Sequence, residues 1–200
     1  MRILYIDHYA GSPTLGMEYR PHAMATEWAG MGAETVLLAG THSHLRKKNF
    51  PDAKPLEPVE IDGVEFRFIR NRAYDGNGIG RVLSMADFVG RGWLAARRIA
   101  REVRPDAVIA SSTYPFDTYL AQRVAKASGA LLVHEIHDLW PLTPIELGGH
   151  SPKHPLMWAM AQAEKSAYRN SDAVVSILPN AEPHVRSLGI VTPVIPIPNG

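Results

Sequence analysis

Cysteine is absent from all 200 residues. Disulfides and thiolate metal sites are therefore excluded, and the composition suits a reducing cytoplasm. No apolar run approaches the length that spans a bilayer. The opening Met1-Arg2-Ile3-Leu4-Tyr5-Ile6-Asp7 is too short for a secretory core and ends in an acid. The expectation is a soluble cytoplasmic chain, at most peripheral on the inner face of a membrane. Excess charge is lacking too: 21 Lys+Arg face 20 Asp+Glu, which gives no fold-wide attraction to nucleic acid. There is no internal repeat and no low-complexity tract. Also missing are the dinucleotide fingerprint G-x-G-x-x-G after the first strand, a P-loop, a G-x-S-x-G elbow and a helical H-E-x-x-H pair. These absences argue against a classical dehydrogenase, a P-loop NTPase, a serine hydrolase and a zincin.

What is present is a 46% hydrophobic chain of one-domain size. Short apolar runs alternate with helical patterns, the signature of an α/β fold with a parallel sheet and crossover helices. Strands are expected at Ile3–Asp7, Thr35–Ala39, Ala107–Ala110, Leu131–Ile136, Ala173–Leu178 and Val194–Ile197. Asp62-Gly63 between Val59–Ile61 and Val64–Ile69 predicts a hairpin. A helix starts near Pro21, carries Met24, Trp28 and Met31 on one face, and ends at Gly32. The longest helix spans about Ile79 to Arg104. Its apolar stripe is Val82, Ala86, Val89, Trp93, Ala96, Ala100 and Val103, and Pro105 stops it. Further helices are expected over Phe116–Ser128, Leu156–Arg169 and Glu182–Leu188. The polar stretch with Arg46-Lys47-Lys48 and three prolines reads as a mobile loop. The chain stops at Pro198-Asn199-Gly200 just after a strand, which reads as a boundary between domains.

Charge is unevenly distributed. Residues 1–104 carry 15 of the 21 basic and 12 of the 20 acidic side chains, and are therefore net +3; the remainder is net −2. Arg81, Arg91, Arg97, Arg98, Arg101 and Arg104 all fall on the longest helix. They read either as a solvated face or as a basic surface for an anionic lipid headgroup or a pyrophosphate-bearing acceptor.

In open parallel sheets ligands sit beyond the carboxyl ends of the strands. Three segments follow strands there. In the first, Gly16 precedes a helix N-terminus whose amides and dipole favour an anion, and Arg20 adds a charge; a plain connecting loop reads equally well. In the second, His137 and Asp138 end a buried strand. A histidine there can exchange protons or hold a sugar hydroxyl, the Asp can orient it, and Trp140 can pack under the loop or under a sugar ring. A strand-end histidine bonded to backbone is the plainer alternative. His134 and His137 fall on opposite faces by strand alternation, which disfavours a shared metal, and Glu135 has no defined role. In the third, Ser111-Ser112-Thr113-Tyr114 is a hydroxyl-rich loop suited to a polyol or to ordinary helix capping.

At His137-Asp138-Leu139-Trp140-Pro141 the sequence resembles the N-terminal domain of GT-B retaining glycosyltransferases of family 4. Arg2-Ile3-Leu4-Tyr5, Gly16 to Ala29, Gly32-Ala33-Glu34-Thr35-Val36-Leu37-Leu38, Glu164 to Tyr168, Ser171 to Ser176 and Ile197-Pro198-Asn199-Gly200 match in order. Ala33 replaces the family's usual His, and Met17 follows Gly16 where a second glycine is commoner. The resemblance implies a Rossmann-like parallel sheet with helices on both faces, residues 1–200 being the acceptor-side half. The donor-binding C-terminal domain lies outside this chain, which alone is inactive. It implies transfer from a nucleotide-diphosphate sugar to a glycan or lipid-linked acceptor in cell-surface polysaccharide synthesis, without metal or other cofactor. His137 and Asp138 would be catalytic, with His137 contacting the donor sugar. Gly16, Met17 and Arg20 would meet the donor phosphates, and Ser112, Tyr114 and Trp140 the acceptor or sugar. The rival readings are a non-hydrolysing sugar-nucleotide epimerase of the same fold and a catalytically idle binding module.

Overall fold

The computed structural model describes residues 1–76 and 78–199. It contains an eight-stranded sheet in the order β3-β4-β2-β1-β5-β6-β7-β8. The strands are β1 (Arg2–Ile6), β2 (Glu34–Gly40), β3 (Val59–Ile61), β4 (Val64–Ile69), β5 (Ala107–Ala110), β6 (Leu131–Ile136), β7 (Ala173–Ser176) and β8 (Val194–Pro196). All neighbours pair in parallel except the β3–β4 hairpin. Asp62 (φ 50°) and Gly63 (φ 80°) turn that hairpin with two consecutive left-handed residues, the geometry that matches strand twist.

The helices are α1 (Arg20–Gly30), α2 (Ile79–Val103), α3 (Asp117–Ser128), α4 (Leu142–Glu146), α5 (Pro155–Asn170) and α6 (Ala181–Ser187). Both sheet faces are covered, unequally. On one face Leu4, Ile6, Val36, Leu38, Val108 and Leu132 pack against α2 and α3; Ile136 and Val174, on that face by register, pack against α5 and α6. On the other, Tyr5, Leu37, Ala39, Phe66 and Phe68 pack against α1. The α4 turn was not expected from sequence.

Three expectations need correction. On α1 the buried positions are Pro21, His22 and Ala25; Met24 and Trp28 are partly buried and pack against the core as expected, while Met31, just past the helix end, is exposed. On α2 the stripe holds from Ala96 onward, but the first half buries Met85, Phe88 and Gly92 rather than Ala86 and Trp93. Gly92 is the close-approach point: a Cβ there would lie 2.6 Å from Leu120 and 2.8 Å from Ile69. Trp93 is turned outward under the Arg123 guanidinium, 3.4 Å from its ring centroid. Finally, the segment after β2 is pinned. Arg46 is buried and donates to the carbonyls of Ala10 (2.7 Å), Gly40 (2.7 Å) and His8 (3.2 Å).

Candidate functional site

β1, β2, β4, β5, β6 and β7 end on one edge, and their following loops build the site. Its centre is Glu135, near the end of β6. Residues two apart in a strand share a face, so Glu135 points toward α1, as does His137, while His134 points to the opposite side. Glu135 is buried and accepts from five donors. Tyr5 of β1 gives its hydroxyl, and Ser111, just after β5, gives its hydroxyl at 2.7 Å. Arg20, opening α1, gives Nε at 3.1 Å and Nη2 at 2.9 Å. His137 Nε2 lies 3.2 Å from the same carboxylate and 2.7 Å from Ser111 Oγ. Both protein contacts of the imidazole therefore involve Nε2.

This carboxylate is firmly charged. Burial pushes its pKa up, but the hydrogen bond and charge of His137, with Tyr5 and Arg20, pull it down to about 2. The reciprocal effect acts on His137. Burial works against its charge, yet the Glu135 hydrogen bond and charge, then Asp7 and Glu18, raise its pKa overall. Asp7, fully buried at the end of β1, behaves differently: burial and then Glu18 raise its carboxyl to about 7. The His137 imidazole, Glu18, Arg20 and the start of α1 line a cleft of about 430 Å³. No side chain caps α1, and its first residues line that cleft.

The structure gathers only some of the residues singled out above. Arg20 joins His137 through Glu135, and its other contacts go to Asn199 Oδ1 (2.9 Å) and the Ile197 carbonyl (2.9 Å). Its guanidinium is thus committed to the protein. Met17 is exposed on the cleft. Gly16 sits at φ 105°, but its N–H already donates to the Ser12 carbonyl at 2.9 Å. Asp138 faces away from His137: it accepts from Leu139 N, Trp140 Nε1 and Thr143 Oγ1, closing the turn into α4. Trp140 packs against a cluster with Tyr9, Met85 and Tyr114. Tyr114 is buried and binds His8 Nδ1 at 2.8 Å, and Ser112 Oγ accepts from His8 N. Ser112 and Tyr114, expected to meet the acceptor or sugar, thus both bond His8. Gly200, the end of the Pro-Asn-Gly match, lies outside the described residues.

Glu135 and Ser111 stood in segments that the sequence singled out, but neither was given this role. The signal existed for Glu135, since His137 and Glu135 differ by two positions in a strand. The sequence placed Ser111 in the hydroxyl-rich loop after β5, but its contact with Glu135 depends on β5 lying beside β6. Among the described residues no group of three or more His, Cys, Asp or Glu side chains could hold a metal ion. No helix among them is long and apolar enough to cross a membrane.

A family model described as a glycosyl transferase 4-like domain matches residues 16–200. None of the curated proteins matches by sequence. Among solved structures, sucrose-phosphate synthase from Thermosynechococcus elongatus superposes with a TM-score of 0.71 at 14% identity, over 100% of this chain and 48% of that one. The lipopolysaccharide outer core galactosyltransferase WaaB gives 0.56 at 12%, over 100% and 46%. UDP-GlcNAc 2-epimerase from Neisseria meningitidis, solved with UDP-GlcNAc, gives 0.53 at 11%, over 98% and 46%. At such identities the likeness establishes the Rossmann-like fold. The chain spans about half the length of these structures.

Proposed function

The chain belongs to the glycosyl transferase 4-like family, and from that premise we propose that it is the acceptor-side half of a retaining transferase. The sugar would come from a nucleotide-diphosphate donor and pass to a glycan or lipid-linked acceptor of the cell surface. A second domain, outside these residues, would hold most of the donor, a reading supported by the half-length match to the solved structures. The observation that carries the proposal is the Tyr5–Ser111–Glu135–His137 cluster opening on the cleft beside α1.

In this reading His137 meets the donor sugar. Glu135 and Ser111 hold Nε2, which orients the ring and leaves Nδ1 as the atom that reaches a sugar hydroxyl. The charge favoured by Glu135 suits a hydrogen-bond donor near developing negative charge. The departing diphosphate is met by the N-terminal turn and dipole of α1, beside Met17, and not by metal. Arg20 supports that charge indirectly by fixing Glu135. The enzyme would work in the cytoplasm, and the exposed Trp93, Leu94, Arg97 and Arg101 of α2 fit contact with an anionic inner leaflet.

The test is His137→Ala in the full-length protein, assayed for sugar transfer from a panel of nucleotide-diphosphate sugars. Loss of transfer with an unchanged thermal melt supports the assignment, and unaffected transfer sinks it. Conversion of the donor sugar without any acceptor would favour the epimerase reading, and donor binding without turnover the idle module.

A further inference from the structure

The His137 cleft has a larger neighbour. It lies on the same edge, beyond the ends of β2 and β4, and encloses about 630 Å³. Arg70 and Arg72 enter it from the segment after β4, and Arg91 from α2. One carboxylate answers them. Asp87 grips Arg72 in a two-point pair, Nε to Oδ2 at 2.7 Å and Nη2 to Oδ1 at 3.1 Å. Among the described residues neither Arg70 nor Arg91 makes an ion pair, and both are exposed. Three guanidiniums against one carboxylate leave the cavity with two positive charges in excess.

The floor beneath them is rigid. Asn71 is buried; its Nδ2 donates to Ser84 Oγ (2.7 Å) and the His42 carbonyl (2.9 Å) and lies 3.0 Å from His8 Nε2. Its Oδ1 accepts from His42 N at 3.0 Å. The residues on either side, Arg70 and Arg72, are thereby held apart at fixed stations. Planar guanidiniums on a fixed floor match the tetrahedral oxygens of a phosphate better than the neutral hydroxyls of a sugar.

We propose that this cavity binds a phosphate or diphosphate group carried by the acceptor, with Arg70 and Arg91 as its principal ligands. The inference rests on the transferase reading and names the acceptor's chemical class. Sheet geometry sets the reach. From β2 to β6 there are three strand spacings and from β4 to β6 four, about 15–20 Å along the edge at about 4.8 Å each. An acceptor whose phosphate sits here while its hydroxyl meets the His137 cleft is longer than one sugar ring.

The experiment is calorimetric titration of the full-length protein with inorganic pyrophosphate, at low and at physiological salt. Binding should weaken about tenfold or more for Arg70→Gln and for Arg91→Gln. It should persist in Arg97→Gln on the outer face of α2, and fall as salt rises. Circular dichroism of each variant checks folding. A parallel sedimentation assay uses phosphatidylcholine vesicles with and without phosphatidylglycerol. Pyrophosphate binding with no vesicle binding, or with vesicle binding that survives both substitutions, assigns a soluble phosphorylated acceptor; vesicle binding that the same two substitutions abolish assigns a lipid-borne one. No pyrophosphate binding, or binding indifferent to Arg70 and Arg91, overturns the proposal. The transfer reading is tested separately, by His137→Ala in the transfer assay, and this proposal only by the loss that Arg70→Gln and Arg91→Gln cause in the titration, so failure here is distinguishable from failure of that reading.

Discussion

Replacing Glu135 with glutamine strikes the site at its centre. Its side chain and that of Arg20 are only 4% and 10% exposed, so their ion pair is poorly screened by water. Removing one partner of such a pair costs about 3–5 kcal/mol, because the other charge stays buried. The glutamine amide also turns two donors toward Tyr5, Ser111 and Arg20, all of which donate. Its shape is conserved, which places the expected loss near the lower end, about 3 kcal/mol, or about 6–12 °C in Tm for a domain this size. The pH dependence is more diagnostic. Glu135, held at about 2 against its usual 4.5, contributes stability above pH 4.5 that is lost as pH falls toward 2. His137, raised above its usual 6.5, contributes stability below pH 6.5 that is lost as pH rises through its folded value. Their joint contribution is greatest between about pH 4.5 and 6.5, and the variant should lack that maximum. Without the carboxylate, burial is opposed only by the weaker pull of Asp7 and Glu18, so the His137 pKa, read by NMR titration, should drop. Denaturant melts from pH 3 to 9 give the stability profile. A variant within about 0.5 kcal/mol of the parent, with the same pH profile and the same His137 titration, would refute the reasoning.

Three further outcomes are expected. Arg46→Met strips hydrogen bonds from the carbonyls of Ala10, Gly40 and His8 and should cost about 2–4 kcal/mol in urea melts; limited proteolysis should then cut the 41–58 segment faster. Gly11→Ala puts a Cβ into the Gly16 and Met17 backbone. It should cost about 1–3 kcal/mol and weaken binding of a nucleotide-diphosphate sugar, measured by titration. Asp117 is fully buried, and burial raises its carboxyl to about 7, so wild-type stability from this group is full below about pH 4 and declines as pH rises to 7. Asp117→Asn should therefore match the parent near pH 4 and exceed it at pH 8; equal pH profiles would show that Asp117 is charged in the fold.

The fold was legible because its signals are local. Asp62-Gly63 needs only its own backbone to turn the hairpin, and Arg104 followed by Pro105 ends α2 whatever packs beside it. The α2 stripe failed in its first half for a tertiary reason. Periodicity scores Trp93 as more apolar than Gly92, but α3 and β4 approach closest at this level, and only a residue without a Cβ admits Leu120 and Ile69 there. The mobile-loop expectation failed similarly. Arg46 stands in a basic run with Lys47 and Lys48, and nothing in that run separates the side chain that turns inward from the two exposed beside it.

The site was half legible, and the missing half follows one rule. Sequence reasoning paired His137 with Asp138 because they are adjacent, but adjacent residues at a strand end diverge, whereas residues two apart converge. Asp138 therefore closes the turn to Thr143 and Trp140, while Glu135 meets His137. Arg20 was correctly brought to this edge and given a different task. Placed at the first position of α1, beside the end of β6, a guanidinium finds the buried carboxylate before it finds solvent. Once that pair forms, the remaining donors reach the carbonyl of Ile197 and the side chain of Asn199. One arginine thus links the helix that faces the cleft, the carboxylate that charges His137, and the segment leading out of the sheet. Movement of that outgoing segment would tug on Arg20 and so on Glu135, which makes the charge of His137 sensitive to whatever the chain does beyond β8. The Glu135→Gln titration measures the inner half of that linkage, and Asn199→Ala, read by the same His137 signal, measures the outer half. A His137 pKa unmoved by Asn199→Ala would confine the linkage to Arg20 and β6.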